Sequence, residues 1–317
     1  MSNSAAATMQ TDSPWRPRLH AGLVGAALLV VIVLPCFMTL PWSMPRYDQQ
    51  NRGSVDTASK RPPSWIEPMG TDSLERSLLW RVLLGGAISL GIGISAALIA
   101  VGIGVAWGAV AGYAGGQIDA VLMRIVDVLY GLPYILLVVM LDLALQPAIS
   151  AAAATMLAAD LAEAVADMVT LLLAIGGVSW LTMARVVRGQ VLSLRGQPFI
   201  EAARAYGTKP ARVLWVHVLP NLAGVIVVYM TLTVPQAILQ ESFLSFLGIG
   251  IQAPLPSWGN LATEGIDELH LWASPPYEFR WWLPFFPCLL LGLTLMSLNF
   301  LGDALRERFD PKSTGHG

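Results

Sequence analysis

Charge is scarce in this chain: 19 Lys plus Arg and 21 Asp plus Glu among 317 residues make 13%, where soluble domains carry about 25%. So little polar surface cannot cover a water-soluble globule of this length, and the same shortage excludes intrinsic disorder. A basic excess is also missing, the formal net charge being −2. Nothing is there to grip a phosphate backbone, and nucleic acid is not an expected partner. Cysteine is nearly absent. Cys36 and Cys288 both sit in apolar runs, where a thiol behaves as a small hydrophobe; they exclude a disulfide scaffold and report no redox compartment.

The strings that carry chemistry are missing too. A P-loop needs G-x-x-x-x-G-K-[ST], so that backbone N–H groups cradle phosphates while the lysine reaches the outer ones. No such string occurs, so the chain is not expected to hydrolyse nucleotide itself. It has neither H-E-x-x-H nor G-x-S-x-G, and His20, His217, His270 and His316 are scattered, too far apart in sequence for a convincing metal site. The expectation is no catalytic residue, no resident cofactor and no metal.

What is abundant is apolar: 55% hydrophobic residues and a mean hydropathy of +0.60. In hydrocarbon only helices and closed barrels satisfy every backbone group, and about 20 apolar residues cross it as a helix. Six stretches qualify, which predicts an all-α polytopic membrane protein lying in a lipid bilayer. The first is 21–41. It is longer than a signal-peptide core and has no small-residue cleavage site after Leu40, so it reads as a retained anchor. The second is placed near 84–112, inside a charge-free run from Val82 to Ile118 that is too long for one crossing. The others fall near 122–145, 165–184, 221–245 and 283–302. Between the third and fourth, the alanine-rich piece Ala151 to Ala166, with Asp160 and Glu163, reads as a helix outside the bilayer. The resulting division is a tail 1–20, an anchor 21–41, an extracytoplasmic segment 42–83, a transmembrane domain 84–303 and a tail 304–317. Asp48, Asp56, Glu67, Asp72 and Glu75 make the 42–83 segment read as solvated.

Six crossings place both termini on one side. That side, with loops 113–121 and 185–220 and Arg124, collects 12 of the 19 basic residues. The positive-inside rule therefore predicts cytoplasmic termini, with the segment from Trp258 to Trp272 outside. Six of the seven remaining basic residues lie between Arg46 and Arg81, against the trend. Gly104, Gly108 and Gly112 recur every fourth residue. Such a face lets another helix come close and needs one against it, which argues for extraction as a complex. Acidic residues within spans are costly and often functional, so Asp142 and Glu241 are candidates for the transport path or for a proton or cation relay. The competing reading places both near helix ends, since Gly248 and Pro254 soon follow Glu241 and suggest a water-facing terminus.

The polar stretch from Arg185 to Asn221 has the punctuation of two short helices. Pro198 suits a first helical turn. Phe199, Ile200, Ala203 and Tyr206 can share one apolar face, with Glu201 and Arg204 off it. Gly207 offers a left-handed C-terminal cap. Thr208 can cap the next helix, Pro210 fits its first turn, and Val213, Leu214, Val216 and His217 continue it to Pro220. Two amphipathic helices joined at a glycine make a knob for a partner's groove; two helices lying flat on lipid are the alternative.

These residues carry a resemblance. Glu201-Ala202-Ala203, Gly207 and Leu219-Pro220 reproduce the E-A-A, G, L-P spacing of permease subunits of ATP-binding-cassette importers. H-V-L-P-N, His217 to Asn221, resembles the dipeptide, oligopeptide and nickel branch, second-permease type. Gly70-Thr71-Asp72, Trp180 with Ala184-Arg185 and Arg188-Gly189-Gln190, Glu241 to Gly250, Pro256-Ser257-Trp258-Gly259 and Asn299 to Pro311 agree with it, covering residues 70–311. Where the branch continues Gly-Thr-Asp with Gly-Arg-Asp, this chain has Ser73-Leu74-Glu75. The stretch between Met140 and Trp180 looks longer than usual, as an outer insertion would. The resemblance implies a subunit of the bacterial inner membrane that pairs with a similar second permease. Two cytoplasmic ATPases would bind the ATP, and an extracytoplasmic binding protein would deliver peptides, nickel chelates or another small solute. It also implies that the loop 185–220 docks the ATPases through Glu201 to Gly207. The rival reading is a stand-alone secondary transporter or channel using Asp142 and Glu241. It would often show inverted repeats, and no repeat of the first three spans is found in the last three.

Overall fold

The computed structural model describes residues 16–50, 61–269 and 280–309. The tails before 16 and after 309, His270, His316, Trp272 and Asp56 lie outside them. Regular structure among the described residues is helical, with only isolated antiparallel bridges, Gln50–Arg76 and Thr71–Ser77. The order is α1 (Arg16–Met38), α2 (Leu40–Ser43), α3 (Leu78–Ala114), α4 (Gly116–Tyr130), α5 (Tyr134–Met156), α6 (Ala159–Arg195), α7 (Pro198–Ala205), α8 (Pro210–Val213), a π turn (Leu214–Val218), α9 (Leu219–Phe246), α10 (Trp258–Leu269) and α11 (Trp282–Phe309). Among the described residues six helical runs are long and apolar enough to cross a membrane: α1, α3, α5, α6, α8 through α9, and α11.

Boundaries depart from expectation where local chemistry overrides hydropathy. α3 begins ahead of the charge-free run, at Leu78, and continues to Ala114, 37 residues, because no proline interrupts it before Gly115, where φ is +68°. At 1.5 Å per residue that is about 55 Å, well beyond a hydrocarbon core of about 30 Å. The third crossing is α5 rather than 122–145. Pro133 disfavours helical backbone at the residue before it, so the chain breaks at 131–133 and 116–130 becomes the separate amphipathic helix α4. The Ala151 to Ala166 piece is no helix of its own. It is the end of α5 and the start of α6, turning at the extended residues Leu157 and Ala158. Nor does Pro220 stop a helix: α8 runs through the π turn into α9. The wider turn relieves the clash that a proline ring makes with the preceding turn. Leu219 N–H donates to the Leu214 carbonyl, and Asn221 Nδ2 donates to the His217 carbonyl at 2.6 Å.

α3 and α6 run parallel. Met183 faces Gly104, the Ala184 carbonyl faces Gly108, and Val191 faces Gly112, where a Cβ would lie 2.9 Å from the Arg188 carbonyl oxygen. The glycine stripe is therefore used inside the chain, and it no longer argues for a separate partner helix. α5 returns along α6, α9 lies along α3 with Ile238 at Gly93, and α11 packs on α1 at Gly22 and Gly25. The helices thus share two ends. One gathers α7, α8 and the start of α9 around Val187, Val191 and Leu222. The other gathers residues 61–77 and α10 at the start of α3, where Trp258, 0% exposed, donates from Nε1 to the Val82 carbonyl at 3.1 Å.

That second end is not simply solvated. Asp72 is buried and accepts Arg76 Nε and Arg81 Nη1, each at 2.7 Å. Buried Arg81 reaches on to Glu264 of α10 with two bonds, 2.6 and 2.9 Å. Arg76 Nη1 also donates to Asp48 at 3.0 Å. Charges that a sequence reading assigns to water instead brace α3, α10 and the preceding loop.

Candidate functional site

Pro198 occupies the first turn of α7, as its fixed φ suits. The helix ends in a Schellman motif: Thr208 N–H donates to the Ala203 carbonyl at 3.2 Å and Gly207 N–H to the Arg204 carbonyl at 2.9 Å. Gly207 has φ +74°, the left-handed cap expected of it. Thr208 does not cap α8; Lys209 holds the N-cap position without a side-chain cap bond.

The knob has two faces. Ile200 is buried and Ala203 half-buried against Val191, Val213, Val218 and Leu222. Phe199 and Tyr206, expected on the same face, point away, Tyr206 at 90% exposure. With exposed Glu201, Ala202 and Trp215, 71% exposed, they form an outward face. α7 has only about two turns, and of the four side chains the two inner ones, Ile200 and Ala203, dock while the aromatics are left outside. His217 and Leu219 are half-buried and Pro220 exposed, at the joint with α9 rather than on the outward face. Arg204 stacks over Tyr113 at 4.9 Å, which ties the knob to the last turn of α3. Beside it, Arg188 Nη2 donates to Asp119 Oδ2 at 2.7 Å, joining α4 to α6. That hydrogen bond holds the Asp119 carboxyl below its ordinary value of 3.8.

Glu241 is not at a water-facing terminus. It is 0% exposed on α9, accepting Ser245 Oγ at 2.9 Å and Ser242 Oγ at 3.2 Å, with the hydroxyls of Ser89 and Ser257 also upon it. Gly259 packs on the Ser242 backbone, and Trp258 N–H donates to Ser89 Oγ at 3.3 Å. The Glu241 to Gly250 and Pro256 to Gly259 strings thus meet at one hydroxyl-wrapped carboxyl that ties α9 to α3. Asp142 is half-buried on α5, and nearby Gln146 Nε2 donates to Asp167 Oδ1 at 2.6 Å. Among the described residues no three His, Cys, Asp or Glu side chains stand together to hold a metal.

A cavity of about 370 Å³ opens between the α4–α5 joint, α6 and α9. Neither Asp142 nor Glu241 lines it. Its polar groups are uncharged, among them Tyr134, Ser179, Thr182, Thr233, Gln236 and Gln240. Tyr134 O–H donates to Gln240 Oε1 at 2.5 Å and lies 3.2 Å from Ser179 Oγ, so one phenol bridges three helices. Along α9, Tyr229, Thr233, Gln236 and Gln240 recur at i, i+4, i+7 and i+11, one polar stripe on an apolar span. Reading spans for charge passed over this neutral stripe, although its spacing stands in the sequence. At the cavity's edge the Arg185 guanidinium sits 4.0 Å over the Tyr130 ring and pairs with Asp127 at 2.8 Å.

Among the described residues, helical structure with six candidate spans and a loop between the fourth and fifth defines a multi-pass all-α membrane protein. Residues 104–315 match the family described as binding-protein-dependent transport system inner membrane component. The chain is 39% identical to a dipeptide transport system permease protein of Bacillus subtilis (strain 168) over 303 residues, 95% of this chain and 86% of that one. It is 39% identical to an oligopeptide transport system permease protein of Escherichia coli (strain K12), over 93% of this chain and 88% of that one. A glutathione transport system permease protein of Pectobacterium atrosepticum is 33% identical over 95% of this chain and 92% of its own length. The chain belongs to the inner membrane components of binding-protein-dependent transport systems, and is a permease subunit of an ATP-binding-cassette importer rather than an enzyme.

Proposed function

We propose that this permease pairs with a similar second permease, takes peptides from an extracytoplasmic binding protein, and couples their passage to two cytoplasmic ATPases through the α7–α8 knob. The observation that carries the reading is the knob's two faces. Its inner face is fixed by Ile200, Val213 and Val218, and its outer face leaves Phe199, Tyr206 and Trp215 exposed beside Glu201. Aromatic side chains supply large contact area at low entropic cost, which suits a groove-docking surface. The relatives' names, which speak of dipeptides, oligopeptides and glutathione, support a peptide solute.

In this reading 185–220 and both termini are cytoplasmic, and 42–83 and α10 are outside. ATP is bound by the partner subunits, so closure of the two ATPases pushes the knobs, and through Arg204 on Tyr113 and the continuous α8–α9 run the push reaches α3 and α9 as rigid bodies. α5 is exposed on most sides, only Val138 being buried, and offers the second permease a seat. No bond is made or broken on this chain. The topology is tested with single cysteines at Ser193 and Thr263, which label from opposite faces of the membrane; labelling from one face contradicts it. The energy source is tested in vesicles carrying the whole complex, where uptake follows ATP. Uptake driven by a proton gradient without ATP returns the stand-alone carrier.

A further inference from the structure

We infer that the cleft formed by Tyr134, Ser179, Thr182, Thr233, Gln236 and Gln240 is this subunit's wall of the solute path, and that it contacts the main-chain amides of a passing peptide while remaining indifferent to the charge of its side chains. The inference rests on the importer reading above and adds the site and the chemistry of recognition.

Polar side chains facing hydrocarbon are unfavourable, so a stripe of Tyr229, Thr233, Gln236 and Gln240 on an otherwise apolar span faces water, protein or solute. Gln236 is exposed in the isolated chain. A carboxamide and a hydroxyl each donate and accept hydrogen bonds, as a peptide group does. The wall can therefore trade hydrogen bonds with a main chain in either direction as it slides. The lining contains no Asp, Glu, Lys or Arg, and Arg185 at its edge is paired with Asp127. Between low-dielectric helices a fixed charge acts across many ångströms and would hold one kind of side chain and repel the other. A neutral wall does neither, which suits the transport of peptides that differ in charge. A volume of about 370 Å³ lies in the range of small-molecule sites, and a second permease would close the open side.

An adjoining depression of similar size makes the contrast. It shares Leu129, Leu132, Leu137, Val178 and Leu181 with the cleft and adds only Met140, Leu141, Ala144 and Gly177. Polarity is therefore gathered where α6 and α9 line the cleft rather than spread along α5.

The test uses the assembled transporter with its binding protein in proteoliposomes, and the uptake of Ala-Ala-Ala, Ala-Lys-Ala and Ala-Glu-Ala. Each uptake is divided by the ATP hydrolysis that the same peptide stimulates, which removes differences in delivery. The wild type is expected to move all three within about threefold of one another. Gln236→Glu lowers Ala-Glu-Ala relative to Ala-Lys-Ala by about tenfold, and Gln236→Lys reverses the preference, each uptake being read per ATP hydrolysed by the same variant. Unchanged ratios in both variants overturn the inference. Should either variant fail to assemble, Gln236→Cys decides: a water-soluble maleimide labels it and peptide slows the labelling, whereas a cysteine that the reagent does not reach means a helix or lipid fills the cleft, and overturns the inference. A wild-type complex with no ATP-driven uptake at all would instead overturn the importer reading.

Discussion

The two ends of this helix bundle are held by different physics. At the α10 end, buried Asp72, Arg76 and Arg81 form a hydrogen-bonded ion network that reaches half-exposed Glu264, joining α3 and the loop before it to α10, some 180 positions on. At the α7 end, a knob sits on an apolar foot of Ile200, Val213 and Val218, with one cation–π contact to α3 and its aromatics turned outward. A buried ion network tolerates little displacement, because each charge that loses its partner is left desolvated. An apolar foot is non-directional and tolerates rocking. The difference teaches which end can move: the braced end keeps its shape, while the knob is a handle that can be pushed without breaking anything costly.

The largest expected effect comes from breaking the braced end. Arg81→Met leaves Asp72 with Arg76 as its remaining cation, beside the N–H groups of Leu74 and Arg76, and strips Glu264 of both its bonds to α3, at a cost of about 3 kcal/mol. The yield and melting temperature of the purified complex should fall clearly, and Arg81→Lys should fall between, having lost the guanidinium fork. A melting curve that matches wild type for Arg81→Met would mean that the network does not brace this end.

An intermediate effect is expected at the knob, on coupling rather than on folding. Gly207→Val places a β-branched residue at φ +74°, disfavoured by about 1–2 kcal/mol. Nothing lies within 4 Å of a Cβ built there, so the strain is local backbone strain, and the spans should still assemble. Uptake and the ATP hydrolysis stimulated by loaded binding protein should drop. Equal losses of uptake and of assembled complex would make Gly207 a folding residue and blur the contrast between the ends.

The smallest effect belongs to Asp119. Arg188 lowers its folded-state pKa, so the pair adds stability that is present above the ordinary aspartate value of 3.8 and is lost as pH falls through the depressed one. Asp119→Asn should therefore melt lower by a constant margin, worth about 1 kcal/mol or less, between about pH 5 and 8. The margin should close only in stronger acid. A margin that changes near neutrality would point to a different titrating group.

Much of this was legible in the sequence because hydropathy and proline or glycine punctuation are local. Six apolar runs gave six spans, and Pro198 and Gly207 framed α7 as expected. What escaped reading depends on partners distant in the chain. Asp72 and Arg81 look solvated until Glu264, some 180 positions on, is brought to them. Glu241 looks like a helix-end charge until Ser89 and Ser257 close around it. Pro220 reads as a stop because nothing in a linear pattern announces a π turn. The Tyr229 to Gln240 stripe was readable, its period being helical, yet a scan for charge gives no weight to glutamine and threonine.

The central claim is that the outward face of the knob is the contact that couples this subunit to its ATPases. Glu201→Ala tests it most directly, since Glu201 is exposed and its loss should leave the fold untouched. In the purified complex, subunit insertion and melting should match wild type, while ATPase association or the ATP hydrolysis stimulated by loaded binding protein falls, and peptide uptake with it. Wild-type uptake and stimulation with Glu201→Ala, and the same from Tyr206→Ala, would contradict the assignment and leave α7 and α8 as helices resting on the lipid surface.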